Sequence, residues 1–450
     1  MADTLARWRA GQGDDVVFLT GTDENSQKTI DAAKKRGEEV KEYTDRMAEV
    51  WQSTWTKLGI SNTDFIRTTE ERHVHVVEDF WGRLDAAGDI YKDRYEGLYC
   101  KGHEAFLRED ELVDGLCPEH KTKPELVSEE NYFFRLSKYQ KQLLEFYEAH
   151  GDFVAPANRF NEVKSFVERG LEDISFSREK KEWGIPVPND PYQVIYVWAD
   201  ALVNYISAVG LEGWEEHPAD VHAVGKDIVR FHAVIWPAML MSAGLPLPGQ
   251  VIANGFFTIN GTKISKTIGN TIDPLDLVAR YGVDAVRYFL LREIPYGQDG
   301  DFSEDKMKEL YNGHLANGLG NFAARVLTLA SKESFAEGAR VDPEFEREIS
   351  AMNRAVSEKL RDYKFPEALA AIWAAIAFGD RYVNEKKVWE IKDDDARRQA
   401  LFNLAVLLAS VAAILAPFLP DASQKIKDAV VWGDGALTAK KIDVLFPRIK

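Results

Sequence analysis

The residues with the most chemical potential lie in Asn260-Gly261-Thr262-Lys263-Ile264-Ser265-Lys266-Thr267. Two ammonium groups and several hydroxyls on a loop after a strand can follow charge as it develops on phosphoryl oxygens. Taken alone, a lysine-rich turn is also an ordinary solvated loop. A second group is Cys100-Lys101-Gly102-His103 with Cys117-Pro118-Glu119-His120. Two Cys-x-x-His pairs supply the four ligands of a closed tetrahedral zinc site; the alternative is two packed thiols and two exposed imidazoles. A third group is Trp198, Ala201 and Tyr205, followed downstream by Gly225, Asp227, Ile228 and His232. Singly, these read as core aromatics and a hydrogen-bonded helix histidine. Asp23 follows the apolar stretch Phe18-Leu19 and the turn Thr20-Gly21-Thr22. It suits either a ligand contact at a strand's C-terminal end or the cap of a helix beginning at Gln27.

These groups need a scaffold, and the sequence supplies an alternating one. Val16-Val17-Phe18-Leu19 reads as a strand, and Gln27 to Leu58 carries helical spacing. Strand, polar turn and helix in that order predict a doubly wound parallel α/β sheet, Rossmann-like, over 1–87 and again over 137–270. Three further strands are expected, at Val194 to Trp198, Val221 to Val224 and Gln250 to Ala253. Between them, 88–136 changes texture, holds both cysteines and reads as an inserted subdomain. From Asp276 the pattern is helical almost to the end, with a linker over 271–312 and an all-α bundle over 313–450.

Composition narrows the class. Hydrophobic content of 45% and charged content of 29% describe an ordinary folded chain, and 450 residues exceed one usual core. The long apolar run from Leu401 is interrupted by Ser410 and Pro417, and so reads as a buried helix rather than a membrane span. The first residues have no apolar signal core, so the cytosol is expected. A formal charge of -17 argues against non-specific nucleic-acid binding, yet leaves room for one structured RNA held by local contacts.

The lysine loop, with Gly269-Asn270 after it, resembles the KMSKS signature of class I aminoacyl-tRNA synthetases. Ile264 and Thr267 stand where that signature has Met and the final Ser. Val197 to Tyr205 and Gly225 to His232 resemble the methionyl-tRNA synthetases in order and spacing. The resemblance implies a methionine pocket of Trp198, Ala201, Tyr205, Ile228 and His232, whose aromatic walls suit a polarizable thioether. It implies that Asp23 holds the substrate ammonium, that Gly225 and Asp227 meet the ribose of ATP, and that Lys263, Ser265 and Lys266 serve its phosphates. Placement of the Cys-x-x-His pairs matches the zinc knuckle inserted in this family. In Leu319-Gly320-Asn321 and onward, Asn321 and Arg325 share a helical face, and with Trp389 they resemble the readers of the CAU anticodon. Methionine, Mg-ATP and tRNA(Met) are the implied partners, with no membrane and a monomer as the default.

Two departures stand out. The family's Thr-Asp-Glu continues with His-Gly, whereas Asn25-Ser26 follows here. No HIGH motif occurs in the sequence. The chain is therefore expected to begin in the helix after that motif, without the first strand, and to be impaired in catalysis as written. Another class I synthetase, or a tRNA-binding relative without catalysis, are the competing readings.

Overall fold

The apolar run Val251-Ile252-Ala253 requires cover on both faces, and it has it. Gln250–Asn254 is the middle strand of a parallel three-stranded sheet, between Val221–Gly225 and Val154–Ala155, and all three apolar residues are buried. A second parallel pair joins Leu19–Thr22 to Asp64–Arg67, with Gly21 opposite Ile66. A Cβ on Gly21 would stand 2.1 Å from the Ile66 carbonyl oxygen, so no larger residue fits there. The computed structural model describes the chain except residues 101, 103, 104, 108, 119, 120, 180–182, 265–270, 334, 336–338, 434, 435 and 450. At 95, 96, 105, 106, 110, 127, 129, 263 and 433 it describes the backbone only.

Contacts gather these residues into two units, one of Val17–Ser53 with Asn62–Asn254, the other of Met1–Val16, Thr54–Ser61 and Gly255–Lys450. In the first unit, the helix Glu71–Ala86 buries Val77, Phe80, Trp81 and Leu84 at helical spacing. An antiparallel sheet runs in the order Ala105–Leu107, Ile90–Cys100, Glu125–Phe134 and Ile174–Ser175.

Several expected elements are displaced. The strand read at Val16 to Leu19 lies at Leu19–Thr22. The stretch from Gln27 forms two helices, Gln27–Arg36 and Val40–Lys57, because Gly37 takes a left-handed φ of 70° and ends the first. The strand expected over Val194 to Trp198 ends early: Asp190–Ile195 is extended, and Val197–Ala201 turns helical. That strand pairs antiparallel with Ser177–Glu179 and Pro186–Val187 and so is no part of a parallel sheet.

The second unit is a bundle centred on Asp394–Leu415, whose Leu404, Leu407, Leu408, Val411 and Leu415 are fully buried. This helix is long and apolar enough to cross a membrane by composition alone, yet its apolar residues line the bundle core. Phe365–Lys386 packs closely at Gly379, where a Cβ would stand 3.0 Å from Leu407 of this helix and 2.5 Å from the Phe322 ring of Asn321–Ala330. The region beyond Asp276 also holds a strand, Gly300–Phe302, and a hairpin of Val430–Gly433 with Ala436–Ala439, so it is less uniformly helical than expected. The first helix, Ala2–Gly11, is tied in by a buried ion pair. Asp3 accepts from Arg287 Nη2 at 2.5 Å, from Arg7 and from Ser61, while Arg287 Nε donates to the Phe418 carbonyl.

Candidate functional site

Three short elements of the first unit assemble an aromatic cluster. The helix Val197–Ala201 carries Trp198 and Ala201, Asn204–Glu216 carries Tyr205, and a π-helical turn, Phe231–Ile235, carries His232. Such turns widen the backbone spiral and re-aim a side chain. Tyr205 Oη lies 2.7 Å from His232 Nε2, and His232 Nδ1 lies 3.0 Å from the Ile228 carbonyl. A carbonyl only accepts, so Nδ1 carries the hydrogen and Nε2 accepts from the tyrosine. Burial pushes His232 down to about 4, which keeps the imidazole neutral at physiological pH. Burial, helped by the Asp23 charge, pushes the Tyr205 phenol up, so it too stays neutral and protonated.

Trp198 stacks on Phe231 at 3.9 Å and meets His232 edge-on at 6.2 Å. Tyr205 packs on His222 at 4.1 Å and near Trp236 at 6.2 Å. Phe231, His222 and Trp236 were not singled out from sequence. Phe231 and His222 were legible only as neighbours of the expected residues, inside the same stretches. The chemistry available here is an uncharged, largely apolar cluster of rings with one tyrosine–histidine hydrogen bond. Its aromatic faces and polar pair suit a neutral, polarizable side chain.

Asp23 is exposed at the end of Leu19–Thr22, and the cap of Gln27–Arg36 is Ser26, which accepts from the Thr29 amide. The capping alternative for Asp23 is thereby removed. Its neighbour Glu24 is buried and anchors the loop, accepting from Arg67 Nε at 2.8 Å and Nη2 at 3.0 Å, and from Thr22 and Thr69. Gly225 ends its strand, and a Cβ there would meet Asp227 Oδ1 at 2.6 Å. Any side chain at 225 would displace the exposed Asp227 carboxylate.

In the second unit, Asn260 and Gly261 have φ of 50° and 72°. Such a pair closes a two-residue hairpin between Phe257–Ile259 and Thr262–Lys263. Asp301 braces it, accepting from the Gly261 amide at 2.7 Å and from Thr258 at 2.6 Å. Lys263 thus ends the second hairpin strand; Ser265 and Lys266 lie outside the described residues. Cys100 and Cys117 are both buried, and their expected partners His103 and His120 lie outside the described residues. Among the described residues, no three His, Cys, Asp or Glu gather as a metal group.

On the bundle, Asn321 is exposed at the start of Asn321–Ala330. Arg325 donates to Asn384 Oδ1 at 2.8 Å and lies 3.8 Å from Asp380. Neither Asn384 nor Asp380 was singled out from sequence, since each is 55 or more residues away along the chain. Lys387, in a left-handed conformation, ends Phe365–Lys386 and turns the chain into Val388–Glu390. That turn leaves Trp389 50% exposed while Val388 is fully buried.

Comparison with known proteins agrees along the chain. The family model "tRNA synthetases class I (M)" matches residues 1–124 and 120–327, and "Anticodon binding domain of methionyl tRNA ligase" matches 334–445. The chain is 43% identical to a methionine–tRNA ligase of Caldanaerobacter subterraneus, covering all of this chain and 75% of that one. It is 42% identical to the Streptomyces coelicolor enzyme, covering all of this chain and 92% of the relative. Among solved structures, Mycobacterium tuberculosis methionyl-tRNA synthetase bound by methionyl-adenylate superposes with a TM-score of 0.93 at 37% identity, over 99% of this chain and 95% of the other. The chain belongs to the methionyl-tRNA synthetase family, class I ligases with a catalytic domain followed by a helical anticodon-binding domain.

Proposed function

We infer that the methionine–tRNA ligase activity of this chain draws on the Tyr205–His232 cluster and on the lysines of the Lys263 to Lys266 stretch. The methionine carboxylate attacks the α-phosphate of Mg-ATP, giving methionyl-adenylate and pyrophosphate. The terminal adenosine hydroxyl of tRNA(Met) then takes the methionyl group. Neither step needs a protein nucleophile, so alignment and charge stabilisation supply the rate. Trp198, Ala201, Tyr205, Ile228 and His232 hold the thioether side chain, and Asp23 meets the ammonium. Gly225 and Asp227 serve the ribose, and Lys263, Ser265 and Lys266 follow the phosphate charge; Mg2+ bound with the ATP would add charge neutralisation there. The observation that carries this reading is the neutral Tyr205–His232 pair, ringed by aromatic faces.

Asn321, Arg325 and Trp389 read the anticodon. The exposure of Trp389 beside a buried Val388 supports that role, since a tryptophan serving only the bundle would be turned inward. A structural zinc held by Cys100, His103, Cys117 and His120 is supported by the burial of both thiols in an antiparallel subdomain and by the Cys-x-x-His spacing. The catalytic assignment is tested with Lys266→Ala. Single-turnover adenylate formation should slow about a hundredfold or more, with methionine affinity within a few-fold of wild type. A rate within a few-fold would remove Lys266 from catalysis.

A further inference from the structure

A chain of polar groups, buried beyond the half-buried Asn25, joins the loop carrying Asp23 to the segment carrying Trp198 and Tyr205. Asp200, wholly buried between Trp198 and Ala201, accepts from Asn25 Nδ2 on Oδ2 at 3.0 Å. Its Oδ1 lies 3.2 Å from Nε2 of His73, which is itself wholly buried on Glu71–Ala86. His73 Nδ1 lies 2.9 Å from Ser207 Oγ, and Ser207 Oγ donates to the Val203 carbonyl at 3.1 Å.

Burial pushes the Asp200 carboxyl above its usual range. At the other end, the second amide hydrogen of Asn25 goes to the Thr68 carbonyl at 3.1 Å, so both its donors are engaged. The Glu24 amide donates to Thr68 Oγ1 at 2.8 Å and the Glu24 carbonyl accepts from Trp183 Nε1 at 3.1 Å. The loop therefore has no slack on either side of Asn25.

We propose that Asn25, His73 and Ser207 are positioning residues that act through Asp200 to fix the distance between the ammonium-binding loop and the side-chain pocket. This rests on the pocket assignment above. Methionine presents an ammonium and a thioether at a set separation. A network that spans the two binding elements converts that separation into selectivity for α-amino acids of the right length. Asn25 stands where the resemblance expects histidine, and the structure gives it a defined task of its own.

The test is methionine-dependent pyrophosphate exchange by the enzyme, with 4-(methylthio)butanoate, which lacks the ammonium, as a competitive probe. Asn25→Ala is expected to raise KM for methionine about tenfold, leaving KM for ATP within twofold and Ki for the probe within twofold. His73→Gln, which retains a donor toward Asp200 but cannot also reach Ser207, should do the same to a smaller degree. Methionine KM within twofold of wild type in Asn25→Ala overturns the proposal, as does an equal rise in KM and in Ki for the probe. Should His73→Gln fail to fold, Asn25→Ala decides alone. Tyr205→Ala serves as a separate control on the pocket itself: no change in methionine KM or probe Ki there would remove the pocket assignment, whatever Asn25 does.

Discussion

Replacing Tyr205 by Phe isolates one hydrogen bond at the centre of the site. The ring stays, so the packing against His222 at 4.1 Å and Trp236 at 6.2 Å is kept. What goes is the hydroxyl 2.7 Å from His232 Nε2. Since His232 Nδ1 is engaged with the Ile228 carbonyl and the imidazole is neutral, Nε2 is left as a buried lone pair without its donor. An orphaned acceptor in a dry site costs about 1–3 kcal/mol. At 1.4 kcal/mol per tenfold, that is roughly a 5- to 150-fold effect. Where this cost appears decides the role of the pair. If the hydroxyl orients His232 for the substrate side chain, KM for methionine in pyrophosphate exchange rises about tenfold, and KM for ATP holds. The rise should be the same from pH 6 to pH 8, because His232, held at about 4, does not titrate there. An unchanged methionine KM with a lowered unfolding midpoint would show that the bond serves only the fold and would refute the reasoning.

Trp389→Ala should weaken aminoacylation of tRNA by an amount equivalent to one base stack, roughly 1–3 kcal/mol, and leave pyrophosphate exchange intact; equal damage to both would mark Trp389 as a bundle residue. Metal analysis of protein purified without chelator should find about one zinc per chain, lost in a Cys100→Ala, Cys117→Ala double variant; zinc retained in that variant would remove the assignment. Asp284 accepts from the Ala422 amide at 2.7 Å, and burial raises its carboxyl from 3.8 to about 6. The folded state therefore holds this proton after the unfolded chain has released it, so stability falls as pH rises from about 4 to 6 and then levels. At 1.36 kcal/mol per pH unit the loss relative to Asp284→Asn is about 3 kcal/mol, and parallel denaturation curves for the two proteins across that window would contradict it.

Much of the aromatic cluster proposed as the site was legible in the sequence because its residues sit in short, ordered stretches. Trp198, Ala201 and Tyr205 share one such stretch, and Ile228 and His232 another, four apart across two consecutive turns. The parallel strands at Val221 and Gln250 were legible for the same local reason: an apolar run bounded by turns. What local pattern hid was of two kinds. Val194 to Trp198 is apolar throughout, and such a run does not say whether it stays extended or, as at Val197, closes into a helix. The buried network was invisible because its links are distant: Asn25 to Asp200 spans 175 residues and His73 to Ser207 spans 134. No periodicity reports on such a pairing, and each residue alone reads as an ordinary helix or loop position.

The Asp3–Arg287 pair has a bearing on how the chain is made. Its two ends are 284 residues apart. Ribosomes add about 5–20 residues per second, so the first helix waits about 15 to 60 s for its guanidinium to be synthesised. Folding from the N-terminus as the chain emerges is closed to the unit that contains this helix. The unit between, Val17–Ser53 with Asn62–Asn254, has all its residues synthesised before Arg287 is added. Translation rather than any intrinsic barrier then sets the earliest moment of final assembly. Until that moment Trp8, a core residue of the later unit, has none of its eventual bundle neighbours to pack on and is a natural handle for a chaperone.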